Sequence, residues 1–165
     1  MQKAFDVEAS DVVREAVAQA ALSAESRKIT VEIGEIEDAT VIGDRDQLIM
    51  AVLNLLENAI NYSPENTKVS VVVKIKDELL EISVTDQGIG IAEGELARVF
   101  ERFYRVDPAR SRMTGGTGLG LSIVKHVALN HGGEIAVWSK EGVGSTFALR
   151  LPRAPQSSLD EGGLS

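Results

Sequence analysis

A narrow polar stripe interrupts the otherwise apolar segment 45–62 and is the first candidate for chemistry. Asn54, Glu57, Asn58 and Asn61 recur at i, i+3, i+4 and i+7, which places them on one face of a helix. Buried amides without hydrogen bonds are costly, and amide oxygens suit a hard cation such as Mg²⁺. The stripe predicts either a ligand cleft or a face that contacts solvent or a neighbouring loop.

Three glycine clusters, at residues 86–91, 115–121 and 142–144, are the second candidate. Glycine lets the backbone approach a ligand closely, and the second cluster leads into a predicted helix whose first N–H groups favour an anion. Neither the P-loop spacing nor the G-x-G-x-x-G spacing occurs in them. A phosphate site here would use another arrangement, and each cluster taken alone is more typical of an ordinary turn.

The carboxylate of Asp86 is the third candidate, because it ends a predicted strand and opens the first glycine cluster. Aspartate is common in ordinary turns. In a partly dry pocket, however, a carboxylate can accept a hydrogen bond from the amino group of a purine. Such a site is selective, since a base lacking that donor would leave a buried charge unpaired.

Hydrophobic periodicity places these residues on a small set of helices and strands. Helices are predicted at residues 10–24, 45–62, 94–103 and 118–130. Strands are predicted at residues 29–33, 69–75, 80–84, 135–138 and 146–151. Asp44 and Gln47 resemble a capping box at the start of the second helix, and residues 106–116 predict a mobile loop. The sum predicts an α+β two-layer sandwich, with helices on one face of a mixed, mainly antiparallel sheet.

Composition limits the classes of protein that fit. The 165 residues predict one domain at 1–152 and a disordered tail at 153–165. The absence of cysteine excludes disulfides and thiolate metal sites. A net charge of −8 disfavours nucleic acid as a partner, and no stretch is long and apolar enough to enter a membrane. Arginines concentrate within 98–112, which predicts either an anionic ligand nearby or a solvated basic helix face.

Five motifs resemble the conserved boxes of sensor histidine kinases, and they occur in that family's order. The motifs are the N box at 54–63, the first glycine box at 86–91, the F box at 100–105, the second glycine box at 116–124 and the last glycine box at 142–147. The chain is identified as a catalytic ATP-binding domain of a bacterial two-component kinase. The resemblance implies the Bergerat fold shared with gyrase and Hsp90. Residues 109–112 and 137–140 also resemble phosphate-responsive kinases of actinobacteria.

The resemblance implies ATP and Mg²⁺ as cofactors. Asn58 would coordinate Mg²⁺, with Asn54 close to the metal and the phosphates. Asp86 would bond the adenine amino group, and Tyr62 would pack on the adenine. Arg105 is the implied catalytic residue, placed to stabilise charge on the transferring γ-phosphate, although a plain surface cation is the alternative. The other implied nucleotide-binding residues are Asn61, Gly88, Gly90, Ile91, Tyr104, Gly116, Gly118, Leu119, Gly120, Leu121 and Thr146.

Two departures from the family pattern stand out. Many relatives carry a phosphate-binding lysine where this chain has Asn61, and the residues available to compensate are Arg110, Arg112 and Lys125. The phospho-accepting histidine is also missing. His126 and His131 are the histidines of the chain. Neither lies in the His-Glu/Asp pattern of a dimerisation helix, so we expect structural roles for both.

The expected activity is transfer of the γ-phosphoryl group to a histidine on a separate dimerisation domain of the same kinase. A response-regulator receiver domain would be the downstream partner. The chain would be the cytoplasmic part of a membrane-anchored kinase, without its dimerisation and sensor domains. Alternatives are a serine kinase of the anti-sigma type, an ATP-driven conformational clamp, and an inactive nucleotide-binding regulatory module. The F box disfavours the first, and Asn54 disfavours the second because clamps tend to carry a carboxylate there.

Overall fold

The computed structural model describes residues 5–88, 120–140 and 142–154. The helices in this part of the chain are α1 (Ala9–Ser26), α2 (Arg45–Asn61) and α3 (Gly120–Asn130). The strands are β1 (Phe5–Glu8), β2 (Thr30–Ile36), β3 (Thr40–Gly43), β4 (Lys68–Lys76), β5 (Leu79–Thr85), β6 (Glu134–Lys140) and β7 (Gly144–Pro152).

Five strands form the main sheet, in the order β2-β4-β5-β7-β6. Strand β2 runs parallel to β4, and the remaining neighbours are antiparallel. The prediction of a mixed, mainly antiparallel sheet is therefore confirmed. Strands β1 and β3 pair separately as a small antiparallel sheet. These two strands were not predicted from the sequence, because four residues are too few to show an alternating pattern.

One face of the main sheet carries the core. Its buried side chains alternate along the central strands and are Val69, Val71, Val73, Leu80, Ile82, Val84, Phe147, Leu149 and Leu151. Helix α2 lies over β4 and β5, α1 contacts β2 and β4, and α3 contacts β6 and β7. Helices α1 and α3 each also pack against α2. This arrangement confirms the predicted two-layer sandwich, because burying apolar side chains on one sheet face is what drives the layers together.

The opposite face of the sheet carries a row of alternating charges. Lys74 pairs in register with Glu81, Glu81 with Arg150, and Arg150 with Glu134. The Glu81 side chain is only 8% exposed and accepts from Arg150 at 2.8 Å. The Arg150 guanidinium also lies 5.3 Å from the centre of the Trp138 ring, within the range of a cation–π contact. Opposite charges on neighbouring strands stabilise this face of the sheet.

The described chain continues two residues past the predicted end of the domain. The backbone N–H of Arg153 donates to the Glu78 carbonyl at 2.9 Å, and that of Ala154 donates to the Thr40 carbonyl at 2.7 Å. These bonds attach the end of β7 to the turn before β5 and to the small sheet. Residues 155–165, the rest of the predicted tail, lie outside the described residues.

Candidate functional site

Helix α2 presents the predicted polar stripe. The Asp44 carboxylate accepts from Gln47 N at 3.1 Å, which is the N-cap that the sequence predicted. Leu48, Val52, Leu55, Leu56 and Ile60 bury the core side of the helix. The stripe residues Asn54, Glu57, Asn58 and Asn61 are all partly exposed. The amides therefore lie at the border between the core and an open side of the domain.

The donor chemistry of the stripe fits a magnesium site. The Asn54 amide donates from Nδ2 to the Met50 carbonyl at 2.9 Å, which leaves its Oδ1 to act as an acceptor. Within the described ranges the Asn58 side chain makes no protein hydrogen bond. These ranges also hold no cluster of three or more His, Cys, Asp or Glu residues. An Mg²⁺ ion here would rest on amide oxygens, water and the ligand's phosphates, because Mg²⁺ takes oxygen ligands and keeps several of its waters.

Asp86 is the most constrained polar side chain of the site. It is 7% exposed, and its Oδ1 accepts from Gly88 N at 2.8 Å and from Ser145 N at 3.1 Å. Burial raises the pKa of the Asp86 carboxyl, and the two backbone donors offset part of that rise. In the described part of the chain no donor to Oδ2 is recorded. One oxygen is thus fixed by the backbone while the other remains able to accept from a ligand.

Two glycines allow the segments around Asp86 to meet. A side chain at Gly88 would overlap the carbonyl oxygen of Tyr62, the residue that caps the C-terminus of α2. A side chain at Gly144 would overlap the carbonyl oxygen of Asp86, and Gly144 has a φ of +146°. Close approach at these positions brings Asp86 next to the end of α2 and to the start of β7.

Thr146 follows Ser145, the donor to Asp86, on strand β7. Its predicted place at the floor of a nucleotide pocket stays a prediction. Its hydroxyl is 3.0 Å from the hydroxyl of Thr85, and the two residues pair in register between β5 and β7. Thr85 and Ser145 were not among the site residues predicted from the sequence. The signal was available, because both are neighbours of predicted site residues. Their roles, however, depend on the register between two strands that lie far apart in the sequence.

The remaining described site residues are at the start of α3. Gly120 is the first described residue of α3, and Leu121 is partly buried against the core. The predicted start near Gly118 lies outside the described residues. The backbone N–H groups of a helix's first turn have no partners within the helix and favour an anion. The predicted place of Gly120 and Leu121 at the end of a phosphate cradle stays a prediction.

Several predictions fall outside the described residues. They are Gly90, Ile91, Tyr104, Arg105, Gly116, Gly118 and Leu119 as site residues, the helix at 94–103, the loop at 106–116, and Arg110 and Arg112 as compensating charges. Lys125 is described and exposed on α3. The described part of the candidate site therefore consists of the amide stripe, Asp86 and the start of α3.

The two histidines differ in their surroundings. His126 is exposed on α3. The His131 ring contacts the backbone of Asp44 through Nε2 at 3.0 Å and the carbonyl of Val127 through Nδ1 at 2.8 Å. These contacts confirm the structural role predicted for His131. None of the helices in the described part of the chain is long and apolar enough to cross a membrane.

Comparison with known proteins identifies the family of the chain. The family described as histidine kinase-, DNA gyrase B-, and HSP90-like ATPase matches residues 43–155. The sensor-like histidine kinase SenX3 of Mycolicibacterium smegmatis is 49% identical over 157 residues, covering 94% of this chain and 41% of that protein. The sensor histidine kinase WalK of Bacillus subtilis is 49% identical over 119 residues, covering 71% of this chain and 20% of that protein. The chain thus spans about two fifths or less of the length of these relatives.

Solved structures show the same fold. The mycobacterial sensor histidine kinase MprB superposes with a TM-score of 0.77 at 34% identity, over 94% of this chain and 100% of that chain. Full-length ShkA in complex with AMPPNP superposes with a TM-score of 0.80 at 27% identity, over 93% of this chain and 32% of that chain. The mycobacterial relatives fit the resemblance to actinobacterial kinases, while its phosphate-responsive aspect stays a prediction. The chain therefore belongs to the histidine kinase-, DNA gyrase B- and HSP90-like ATPase family, as a catalytic ATP-binding domain of the kind found in bacterial sensor histidine kinases.

Proposed function

We propose that the domain binds Mg·ATP between α2, the Asp86 loop and the start of α3, and transfers the γ-phosphoryl group to a histidine on a separate dimerisation domain. The observation that carries the proposal is the Asp86 carboxylate. It is buried, fixed through Oδ1 by two backbone donors, and keeps an acceptor oxygen in a loop that contacts the end of α2. A buried acceptor of this kind is costly unless a ligand donor meets it, and the amino group of adenine supplies one.

The roles of the other residues follow from their chemistry. Tyr62, which caps α2 next to the Asp86 loop, would pack against the adenine ring, and Thr146 would line the floor of the pocket. The partly exposed amides of Asn54 and Asn58 would hold Mg²⁺, with Asn61 nearby on the same stripe. The metal, when bound, would neutralise charge on the β- and γ-phosphates. The N–H groups of the first turn of α3 would hold phosphate oxygens.

Phosphoryl transfer would need little covalent participation by the domain. A nitrogen of the acceptor histidine forms the new bond to the γ-phosphorus, the bond to the β,γ-bridging oxygen breaks, and ADP leaves. Positioning and electrostatic stabilisation dominate such reactions. Arg105 remains our candidate for stabilising the transferring phosphoryl group. The resemblance supports the roles of Arg105, Tyr104 and the ATP lid at 106–116.

The partners of the proposed function follow from the relatives. SenX3, WalK and MprB are described as sensor histidine kinases, and ShkA was solved with the ATP analogue AMPPNP. We propose that a histidine-bearing dimerisation domain of the same kinase is the first phosphoryl acceptor. A response-regulator receiver domain would then accept the phosphoryl group from that histidine. We further propose that the domain works in the cytoplasm as part of a membrane-anchored kinase.

The test combines binding with transfer. Calorimetry should detect ATP binding that is strengthened by Mg²⁺. Incubation with ATP labelled at the γ-phosphate and the purified dimerisation domain should label that domain with an acid-labile, base-stable phosphoryl group. Binding without transfer, in the presence of a folded acceptor domain, would indicate a regulatory module. Release of inorganic phosphate without a labelled acceptor would favour an ATP-driven clamp.

A further inference from the structure

The His131 side chain joins the end of α3 to the beginning of α2. The Asp44 N–H donates to Nε2 at 3.0 Å, while Nδ1 lies 2.8 Å from the Val127 carbonyl oxygen. A carbonyl oxygen can only accept, so Nδ1 carries the proton and Nε2 presents its lone pair. The neutral ring in this tautomer satisfies both contacts. Because Val127 is one turn back on α3, the ring is oriented by its own helix.

The ring completes the cap of a helix to which it does not belong. Asp44 is the N-cap of α2, and in a capping box the side chain at Gln47 would accept the Asp44 N–H. The Gln47 Oε1 is instead buried, and no hydrogen-bond partner is found for it in the described structure. The imidazole of His131 has taken the place of that oxygen. The first turn of α2 is thus held partly by α3.

The backbone on both sides accommodates the ring. Gly43, the last residue of β3, is buried, and a side chain there would overlap the Cδ2 and Nε2 atoms of His131. After the ring the chain reverses into β6 through Gly132, which has a φ of +72°, and Gly133, where a side chain would overlap the Arg150 carbonyl oxygen. Gly43 is thus required by the His131 ring, whereas Gly133 is required by the close approach of the turn to β7.

The contact lies at the far end of both helices from the proposed nucleotide site. Along α2, Asn54 is about 15 Å from Asp44, and along α3, Gly120 is about 16 Å from His131. The helices pack against each other, with the start of one beside the end of the other. The two distances are nearly equal. A fixed contact at one end therefore sets the position of Asn54 along α2 relative to that of Gly120 along α3.

We infer that His131 is a positioning residue. It fixes α2 relative to α3, so that the metal-binding amides and the phosphate-binding helix terminus keep a constant offset along the helix axes. The inference rests on the proposed function for its nucleotide consequence. The helix contact itself is independent of that function. His131 touches neither nucleotide nor metal in this proposal and acts through the Asp44 N–H.

A matched pair of substitutions separates the hydrogen bond from the volume of the side chain. In His131→Gln, the amide oxygen reaches about as far as Nε2 and can accept from Asp44 N. In His131→Met, the side chain has similar length and no comparable acceptor. The unpaired N–H should lower ATP affinity by about tenfold in the methionine variant, and the glutamine variant should stay within about twofold of the wild type.

The contact can be observed directly by NMR of ¹⁵N-labelled wild-type protein. A scalar coupling across the hydrogen bond should join Asp44 N to His131 Nε2, and the exposed His126 should show none. The amide resonances of Asn54 and Asn58 should shift in the methionine variant and not in the glutamine variant. An absent coupling in the wild type, or equal resonances and affinities in the two variants, would overturn the inference.

The two proposals fail in different ways. If the wild type binds no ATP, the proposed function fails, while the coupling and the amide shifts still decide whether His131 positions α2. If the wild type binds ATP and the methionine variant binds equally well with a cooperative melt, the positioning role fails and the proposed function stands. A methionine variant that does not fold leaves the wild-type coupling and the glutamine variant to decide. Loss of ATP binding in a folded glutamine variant would also count against the hydrogen bond.

Discussion

Asp86 and Ser145 are joined by a reciprocal pair of hydrogen bonds that extends the ladder between β5 and β7. The Asp86 N–H donates to the Ser145 carbonyl at 2.9 Å, and the Ser145 N–H donates to the Asp86 Oδ1 at 3.1 Å. The regular pairing ends one step earlier, at Thr85 and Thr146. A side-chain oxygen therefore replaces the backbone acceptor at the next step. The carboxylate is held as rigidly as the sheet, which is what a base-recognition site requires.

Replacing the Asp86 carboxylate by an amide should change the purine preference. In Asp86→Asn, the Oδ1 can still accept from Gly88 N and Ser145 N, while the second oxygen becomes an NH₂ donor. ATP affinity should fall by about 100-fold, because two donors then face each other. Inosine triphosphate, which has an oxygen in place of the amino group, should lose far less affinity. Calorimetry with both nucleotides measures the change.

Asp77, an exposed residue in the turn between β4 and β5, provides the control for this substitution. Asp77→Asn makes the same chemical change far from the proposed pocket, at a position with a φ of +56° that asparagine tolerates. It should leave both affinities unchanged. Equal affinities for ATP in the wild type and Asp86→Asn would remove Asp86 from base recognition.

Asp86→Asn should be more stable than the wild type in the absence of nucleotide. The folded pKa of Asp86 is raised above its ordinary value of 3.8, mainly by burial, so ionisation of this group weakens the fold. The wild type should lose stability relative to Asp86→Asn as the pH rises through 3.8 to the folded pKa, and the gap should then stay constant. We expect a difference of about 1 kcal/mol at pH 7, or about 2–4 °C in Tm. Denaturant titrations across pH test this, and a gap that widens toward low pH would contradict it.

Removing the Asn58 amide should affect ATP binding only when magnesium is present. The amide oxygen is a metal ligand in our proposal and makes no protein hydrogen bond within the described ranges. Asn58→Ala should weaken ATP binding by about tenfold in Mg²⁺ and by less than about twofold in EDTA. Gln19→Ala, on the exposed side of α1, is the control. An equal loss with and without Mg²⁺ would place Asn58 on the nucleotide rather than the metal.

A side chain at Gly144 should disturb the Asp86 site much more than one at Gly142. Both glycines have positive φ values, +146° and +83°. A Cβ at Gly144 would also overlap the Asp86 carbonyl oxygen, whereas a Cβ at Gly142 would meet no atom within 4 Å. Gly142→Ala should cost about 1 kcal/mol from backbone strain alone, and Gly144→Ala about 3 kcal/mol. Urea unfolding measures the loss of unfolding free energy in each variant. Similar losses in the two variants would show that the backbone at the start of β7 shifts to accommodate a side chain at Gly144.

Loss of the Arg150 guanidinium should weaken the charged face of the sheet in a pH-dependent way. Burial tends to raise the pKa of Glu81, but hydrogen bonds from Arg150 and Lys76 outweigh it and hold the pKa below its ordinary value of 4.5. The Glu81 contribution is therefore present above pH 4.5 and is lost as pH falls through the folded pKa. Arg150→Met should cost about 2 kcal/mol at pH 7.

The loss of stability in Arg150→Met should be smaller in acid, because a protonated Glu81 carries no charge to pair with Arg150. Arg14→Met, at an exposed position on α1, supplies the comparison for loss of one surface arginine. Thermal unfolding of both variants at pH 7 and pH 3 measures the effect. A cost for Arg150→Met that is unchanged between the two pH values would assign it to packing on Trp138 instead of the charge on Glu81.

Local patterns predicted the elements well wherever a physical rule acts over a few residues. The cap at Asp44 and the apolar face of α2 are such cases, because hydrogen bonds and burial there repeat with the helical turn. The alternation in β4 and β5 likewise predicted two strands with one buried face. Strands β1 and β3 escaped prediction because their partners are supplied by the fold and not by their own pattern.

The sequence by itself determined the family and the residues that we propose for its chemistry: an amide stripe set by helical spacing, a carboxylate at a strand end, and glycines in the order of one family. Only the tertiary structure decided how these residues are held. The pairing of Asp86 with Ser145, of Thr85 with Thr146, and of Asp44 with His131 joins positions far apart in the chain. Such pairings depend on strand register and helix packing, which minimise the free energy of the whole core and leave no periodic trace in the sequence.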